Sequence, residues 1–159
     1  VKAIALVCAF VAAPVWAQDL PYSDIATREC LETASDFAAR EACIGTSADL
    51  CMATPEGGTT YGMNGCLDRE LAFWDKVLNQ NYQIRMADAK ARDADVGPTL
   101  GVQADALRDM QLAWIAFRDA ACEFERSQWQ GGTGGGPATI ACMLELTGRQ
   151  ALVLGRVDR

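Results

Sequence analysis

From Met63 onward, apolar residues return at intervals of three and four. Met63, Leu67, Leu71, Trp74, Leu78 and Tyr82 follow one another at steps of four, four, three, four and four. That spacing puts all six on one face of a long helix, because an α-helix advances 3.6 residues per turn. Asp68, Lys76, Gln83 and Lys90 fall elsewhere on the wheel, where water solvates them. Gly97-Pro98 interrupts the pattern, and a second helix is expected from Gly101 or Val102 to about Gln130. Its apolar face reads Leu107, Met110, Trp114, Phe117, Ala121 and Phe124. Gly131 and Gly132 stop this helix, Gly134, Gly135 and Gly136 keep the turn open, and Pro137 suits the first turn of a third helix. That helix runs to about Gly155, with Ile140, Met143 or Leu144, Thr147 and Ala151 inward.

Upstream the elements are shorter. Ser23 is a suitable cap for a helix starting at Asp24, and a break near Ser35-Asp36 divides the next stretch into two short helices. Thr46–Met52 adds another short helical piece, and Pro55–Gly65 is rich in turn formers. No run alternates with the two-residue period of a half-buried strand. The pattern predicts an all-α fold: an antiparallel bundle of three longer helices, with short N-terminal helices packed across one end.

The first residues carry a different signal. Lys2 precedes the apolar run Ala3–Ala13, and Val15 and Ala17 occupy the small-residue positions of a signal-peptidase site. Residues 1–17 therefore read as a signal peptide, with the mature chain expected to begin at Gln18 and to be periplasmic or secreted. The run is too short to span a bilayer, and no later stretch is apolar for long enough, so no membrane span is expected after cleavage. The net charge is −7 and becomes −8 once Lys2 is removed. An acidic balance argues against nucleic acid, which is bound by neutralising phosphates, and fits solubility or attraction to a cationic partner.

Cleavage also removes Cys8 and leaves Cys30, Cys43, Cys51, Cys66, Cys122 and Cys142. An even number in an oxidising compartment reads as three disulfides, for which six cysteines allow fifteen connectivities. Local pairing is the expectation: Cys30–Cys43, Cys51–Cys66 and Cys122–Cys142. There is no histidine and no C-x-x-C pair, so neither a zinc cluster nor a dithiol redox site is expected, and no cofactor.

Catalytic patterns are equally scarce. Without histidine the usual triads and acid–base pairs are missing, and Ser127 has no evident base beside it. Glu70, Asp75, Asp119, Glu123 and Glu125 read as solvated carboxylates on helix surfaces. The glycine turn lacks the lysine of a phosphate loop and does not follow a strand. It reads either as a plain helix–helix connection or as a protruding binding loop, comprising Trp129, Gly131, Gly132, Thr133, Gly134, Gly135 and Gly136. Asn79, Tyr82, Arg118 and Asp119 lie closest to the apolar faces among the polar residues and are expected to form an interhelical network, since buried polar groups need partners.

Three ordered elements carry a resemblance. The first is C-L-x-x-E…W-D-x-x-L-N-x-x-Y, at Cys66, Leu67, Glu70, Trp74, Asp75, Leu78, Asn79 and Tyr82. The second is Q-x-x-W-I-A-F-R-D-x-x-C, at Gln111, Trp114, Arg118, Asp119 and Cys122. After the glycine turn comes C-M-x-x-L-T-x-x-R, at Cys142, Met143, Leu146, Thr147 and Arg149. Together they resemble the lysozyme-inhibitor LprI-like family of exported bacterial proteins, over about Cys51 to Leu154. The domain reading is then a signal peptide at 1–17, a short helical extension at 18–50 and the LprI-like helical domain at 51–159. The resemblance implies a binding protein rather than an enzyme, with a protein partner such as a cationic lysozyme. The founding member is a lipoprotein, whereas this chain has no lipobox cysteine at its cleavage site. The matched motif residues are helix-packing and disulfide positions, so they bring no inhibitory contact with them. The alternative is an envelope structural or protein-interaction module that does not bind lysozyme.

Overall fold

The computed structural model describes residues 20–156, and the expected signal peptide lies outside that range. Six α-helices follow one another among the described residues: α1 (Ile25–Thr33), α2 (Phe37–Glu41), α3 (Thr46–Met52), α4 (Thr60–Val96), α5 (Gln103–Ser127) and α6 (Gly135–Leu154). The last three are the long ones and form the bundle. Their boundaries are set by identifiable groups. The Thr59 side chain accepts the Gly62 N–H at the start of α4. Gly97, at φ +80°, ends that helix in a conformation that glycine adopts without cost. Asp93 reaches across the turn and accepts the Gln103 and Ala104 N–H groups, both at 2.9 Å, so one helix caps the next.

Side-chain contacts fix the direction of each helix. Asn81 and Arg85 of α4 donate to the carbonyls of Ala151 and Leu154, so α4 and α6 run parallel. Gln111 meets Gln150, and Cys122 is bonded to Cys142, so α5 runs antiparallel to α6. The bundle is up-down-up. The α4–α5 turn lies well past the last residues of α6, so the far end of the bundle is a two-helix arm.

The core contains Leu67, Trp74, Leu78, Leu144, Ala151, Leu152 and Leu154, with Ala48 of α3 joined to it. On α4 the predicted face is the observed one: Leu67, Trp74 and Leu78 are buried, and Leu71 and Tyr82 are packed at the edge. On α6, Leu144, Thr147 and Ala151 point inward as expected. On α5 the predicted face needs correction. Leu107 and Trp114 pack against the core, but Met110, Phe117 and Phe124 are 40%, 60% and 68% exposed. The inner arc of α5 includes Gln111 and Cys122 instead, so the helix is rotated away from its most apolar face.

The short helices are held in place by covalent and polar links. The disulfides join Cys30 to Cys43, Cys51 to Cys66 and Cys122 to Cys142, with Cα–Cα separations of 5.6, 5.7 and 5.5 Å. They tie α1 to the end of α2, α3 to α4, and α5 to α6. Loops of this size each contribute about 3 kcal/mol by restricting the unfolded chain. Three disulfides belong to an oxidising, extracytoplasmic compartment. No described helix is long and apolar enough to cross a membrane.

Glu70 is the second correction. Read as a solvated surface carboxylate, it is 0% exposed and is the polar centre of the molecule. Its Oε1 accepts from Thr27 Oγ1 at 2.8 Å, Gly45 N at 3.0 Å and Trp74 Nε1 at 3.2 Å. Its Oε2 accepts from Ala48 N at 2.6 Å. Two of these donors are N–H groups at the start of α3, whose dipole favours a negative charge there. Thr27 Oγ1 also lies 2.8 Å from Ser47 Oγ. Each hydroxyl has one proton, so Thr27 donates to Glu70 and Ser47 donates to Thr27. Backbone N–H groups of Thr27 and Ser47 complete the exchange. One carboxylate on α4 thus fixes α1 and α3 against the bundle. Arg149 on α6 pairs with Glu41 of α2 at 2.9 Å, a more exposed and weaker link.

Candidate protein-binding site

The α5–α6 connection lies next to the N-terminal helices. After Ser127 the chain turns through Gln130 at φ +48° and Gly131 at φ +83°, the two left-handed residues that reverse its direction. Gly132 N donates to Trp129 O at 2.7 Å, and Gly135 N donates to Gly132 O at 3.1 Å. Trp129 folds back over the turn, and its indole lies so close to Gly134 that a Cβ there would collide with the ring. The indole nevertheless remains 47% exposed. Gly135 and Pro137 are buried at the start of α6, while Gly131, Gly132 and Thr133 stand in solvent.

Beneath the turn is an open hollow of about 400 Å³. Its wall is apolar: Ile44 from the α2–α3 turn, Met52 from α3, Met63 and Leu67 from α4, Pro137 and Leu144 from α6, and Trp129 at the lip. Asp49 and Glu145 are its two carboxylates, and both are exposed. No lysine or arginine lines it. From Ser127 to Ala138 the chain carries no charge at all. The site therefore combines a slender neutral turn, a half-exposed indole, a greasy hollow and an acidic edge. Such an arrangement can hold a partner's side chain. Among the described residues no group of three His, Cys, Asp or Glu could hold a metal ion.

Sequence reasoning located the turn and Trp129 but not the hollow. Ile44, Met52 and Met63 are distant along the chain, and none of them looks special in its own segment. Their convergence follows from the Glu70 linkage and the Cys51–Cys66 bridge, which bring α3 against the start of α4.

The polar residues expected to bridge helices are brought together in a different way. Asn79, Tyr82 and Arg118 line one groove between α4 and α5. Within it, Asn79 Nδ2 donates to Asp75 on its own helix, at 2.9 Å to the carbonyl and 3.0 Å to the carboxylate. Arg118 pairs with neighbouring Asp119 at 2.8 Å and lies 5.0 Å from the centre of the Trp114 ring. The interhelical amide link is made by Gln150, which donates to Gln111 at 3.0 Å.

Comparison with known proteins gives these features a context. An uncharacterized protein of Rhizobium meliloti is 30% identical over 95 residues, covering 58% of this chain and 68% of the relative. An uncharacterized 17.7 kDa protein from the puhA 5′ region of Rhodobacter capsulatus is 26% identical over 132 residues, covering 80% of this chain and 82% of that one. No solved structure matches. A family model described as lysozyme inhibitor LprI matches residues 51–154. The Rhodobacter likeness is longer than that segment and takes in residues before Cys51, the part of the chain that holds three of the four partners of Glu70. With most of its length covered by that model, the chain belongs to the lysozyme inhibitor LprI family.

Proposed function

We propose that this protein is an exported, periplasmic or secreted inhibitor of lysozyme-type cell-wall hydrolases, and that it docks through the Trp129 turn and the hollow beneath it. The observation that carries the reading is the half-exposed indole at the lip of an apolar hollow, on a turn free of charge. Exposed tryptophans are frequent anchors of protein interfaces. Lysozymes are commonly cationic outside an acidic catalytic cleft. A net charge of −7 supports long-range attraction to such a surface. The neutral stretch Ser127–Ala138 then approaches catalytic carboxylates without repulsion, while Asp49 and Glu145 flank it to meet basic residues around the cleft.

The test is titration of the oxidised protein against lysozymes of several types in a cell-wall lysis assay. A reduced sample and an unrelated acidic protein serve as controls. Saturable inhibition by the oxidised form is expected, and Trp129→Ala should weaken it at least about tenfold, as loss of an interface anchor does. Unchanged inhibition by a folded Trp129→Ala variant would remove the turn from the interface. Absence of inhibition towards every lysozyme type would favour an envelope interaction module.

A further inference from the structure

The rotation of α5 leaves a stripe that packs on nothing else among the described residues apart from one edge contact, Gln150 Nε2 of α6 donating to Met110 Sδ at 3.4 Å. Ala106, Met110, Ala113, Phe117, Ala120 and Phe124 fall at steps of four, three, four, three and four, and all six are exposed. This is the spacing of a helix-pairing seam. The residues also alternate, with alanine at every other place and Met or Phe between. The geometry points to a second copy of this chain as the occupant, packed antiparallel along α5 in a symmetric dimer.

The argument is one of self-complementarity. The stripe is centred on Ile115, which is also the midpoint of α5. When two copies are related by a two-fold axis at that level, each residue meets the one equally far from Ile115 in the other copy. Ala106 then faces Phe124, Met110 faces Ala120, and Ala113 faces Phe117. Every layer joins one large and one small residue, and the symmetry repeats each pair. A parallel pairing would set Phe against Phe and Ala against Ala, which alternately crowds the seam and leaves it empty.

The area is sufficient for a modest dimer. With about 200 Å² for a fully exposed Phe or Met, the exposures of the three large residues leave roughly 340 Å² of stripe open to water per copy. The alanines and seam edges raise this to about 600 Å² per copy, just above what a specific interface needs. Charge opposes the pairing mildly. Asp109 and Glu123 border the stripe, and the two-fold brings Asp109 of one copy within about one helical turn of Glu123 of the other. Salt should therefore tighten the dimer, since it screens that repulsion. The antiparallel arrangement places the two Trp129 turns at opposite ends of the paired helices, about 37 Å apart along α5. Both remain free to dock, so the dimer and the inhibitor reading stand or fall separately.

The experiment is sedimentation equilibrium on the oxidised chain, with two substitutions. A concentration-dependent dimer with a micromolar dissociation constant is expected, tightening at high salt. Phe117→Lys should weaken it at least about tenfold, since it buries a charge in the seam, with the helical circular dichroism unchanged. Leu112→Lys is the control: Leu112 is 59% exposed but lies about 200° round the helix from Met110, outside the stripe, so the dimer should persist. A chain that stays monomeric at roughly a hundred times that concentration overturns the proposal. So does a dimer that loosens with salt, or one disrupted equally by both substitutions.

Discussion

Glu70→Gln changes one oxygen to an amide nitrogen in the most enclosed polar site of the protein. In the native rotamer the amide oxygen takes the Oε1 position, where it keeps Thr27, Gly45 and Trp74 as donors. The new NH2 group then faces the Ala48 N–H, which the carboxylate accepts at 2.6 Å. Two donors are left opposed and buried. Losing a charge-assisted bond and orphaning a buried N–H together cost about 3–4 kcal/mol, and the three retained bonds also weaken once the acceptor is neutral. Relief of the desolvated charge offsets part of this loss. A net loss of about 2–4 kcal/mol is expected, in urea denaturation of the oxidised protein followed by far-UV circular dichroism. Thr27→Val removes the hydroxyl that donates to the same oxygen. The two losses should therefore be coupled by about 1 kcal/mol in a double-mutant cycle. A Glu70→Gln change below about 0.5 kcal/mol, or strict additivity with Thr27→Val, would refute the network as the link between α1, α3 and α4.

Two further substitutions probe other regions. Gly134→Val should displace the indole of Trp129, because a side chain at Gly134 occupies the ring's place; inhibition of lysozyme should fall while the urea midpoint moves little, and unaltered inhibition would show that the indole's position is immaterial. Tyr22 is held in its neutral form above its ordinary range by burial first, then by the negative charges of Glu70 and Asp24. Its hydroxyl is also buried, with no hydrogen-bond partner among the described residues. A tyrosine whose folded pKa is raised contributes stability below its unfolded pKa of about 10, and that contribution is lost as pH rises from there through the folded value. Tyr22→Phe should therefore equal or exceed the native protein in stability at neutral pH and flatten its alkaline decline. Denaturant midpoints across alkaline pH test this, and an identical decline in both proteins would contradict it.

Where the sequence is transparent and where it is not follows from how each residue acquires its environment. The α4 face is legible because Leu67, Trp74 and Leu78 repeat without interruption and are all buried. The α5 face misleads because its apolar residues fill two adjoining stripes. Leu107 and Trp114 belong to the core, and Met110, Phe117 and Phe124 to the outer one. Periodicity finds their average direction, whereas the helix settles where Gln111 meets Gln150 and Cys122 meets Cys142. Glu70 shows the opposite failure. One signal was present: it stands between Leu67 and Trp74 on a face otherwise apolar. Three of its four partners, however, lie 22 to 43 positions away, and Gly45 and Ala48 contribute through the backbone, which no side-chain pattern records. The hollow beneath the Trp129 turn is hidden for the same reason, since Ile44, Met63 and Leu144 become neighbours only after folding.

The order of the bridges along the chain has a consequence for biogenesis. Cys30 is bonded to Cys43, Cys51 to Cys66 and Cys122 to Cys142, so each of the six cysteines among the described residues is paired with its immediate neighbour in that series. A polypeptide delivered N-terminus first into an oxidising space presents both members of one pair before the first member of the next appears. An oxidant that joins thiols in order of arrival produces the native set directly, with no reshuffling by thiol–disulfide exchange. Nested or crossed bridges would instead require early cysteines to wait, exposed to wrong partners, for late ones. Maturation of this chain should thus depend on a thiol oxidase and be indifferent to a disulfide isomerase.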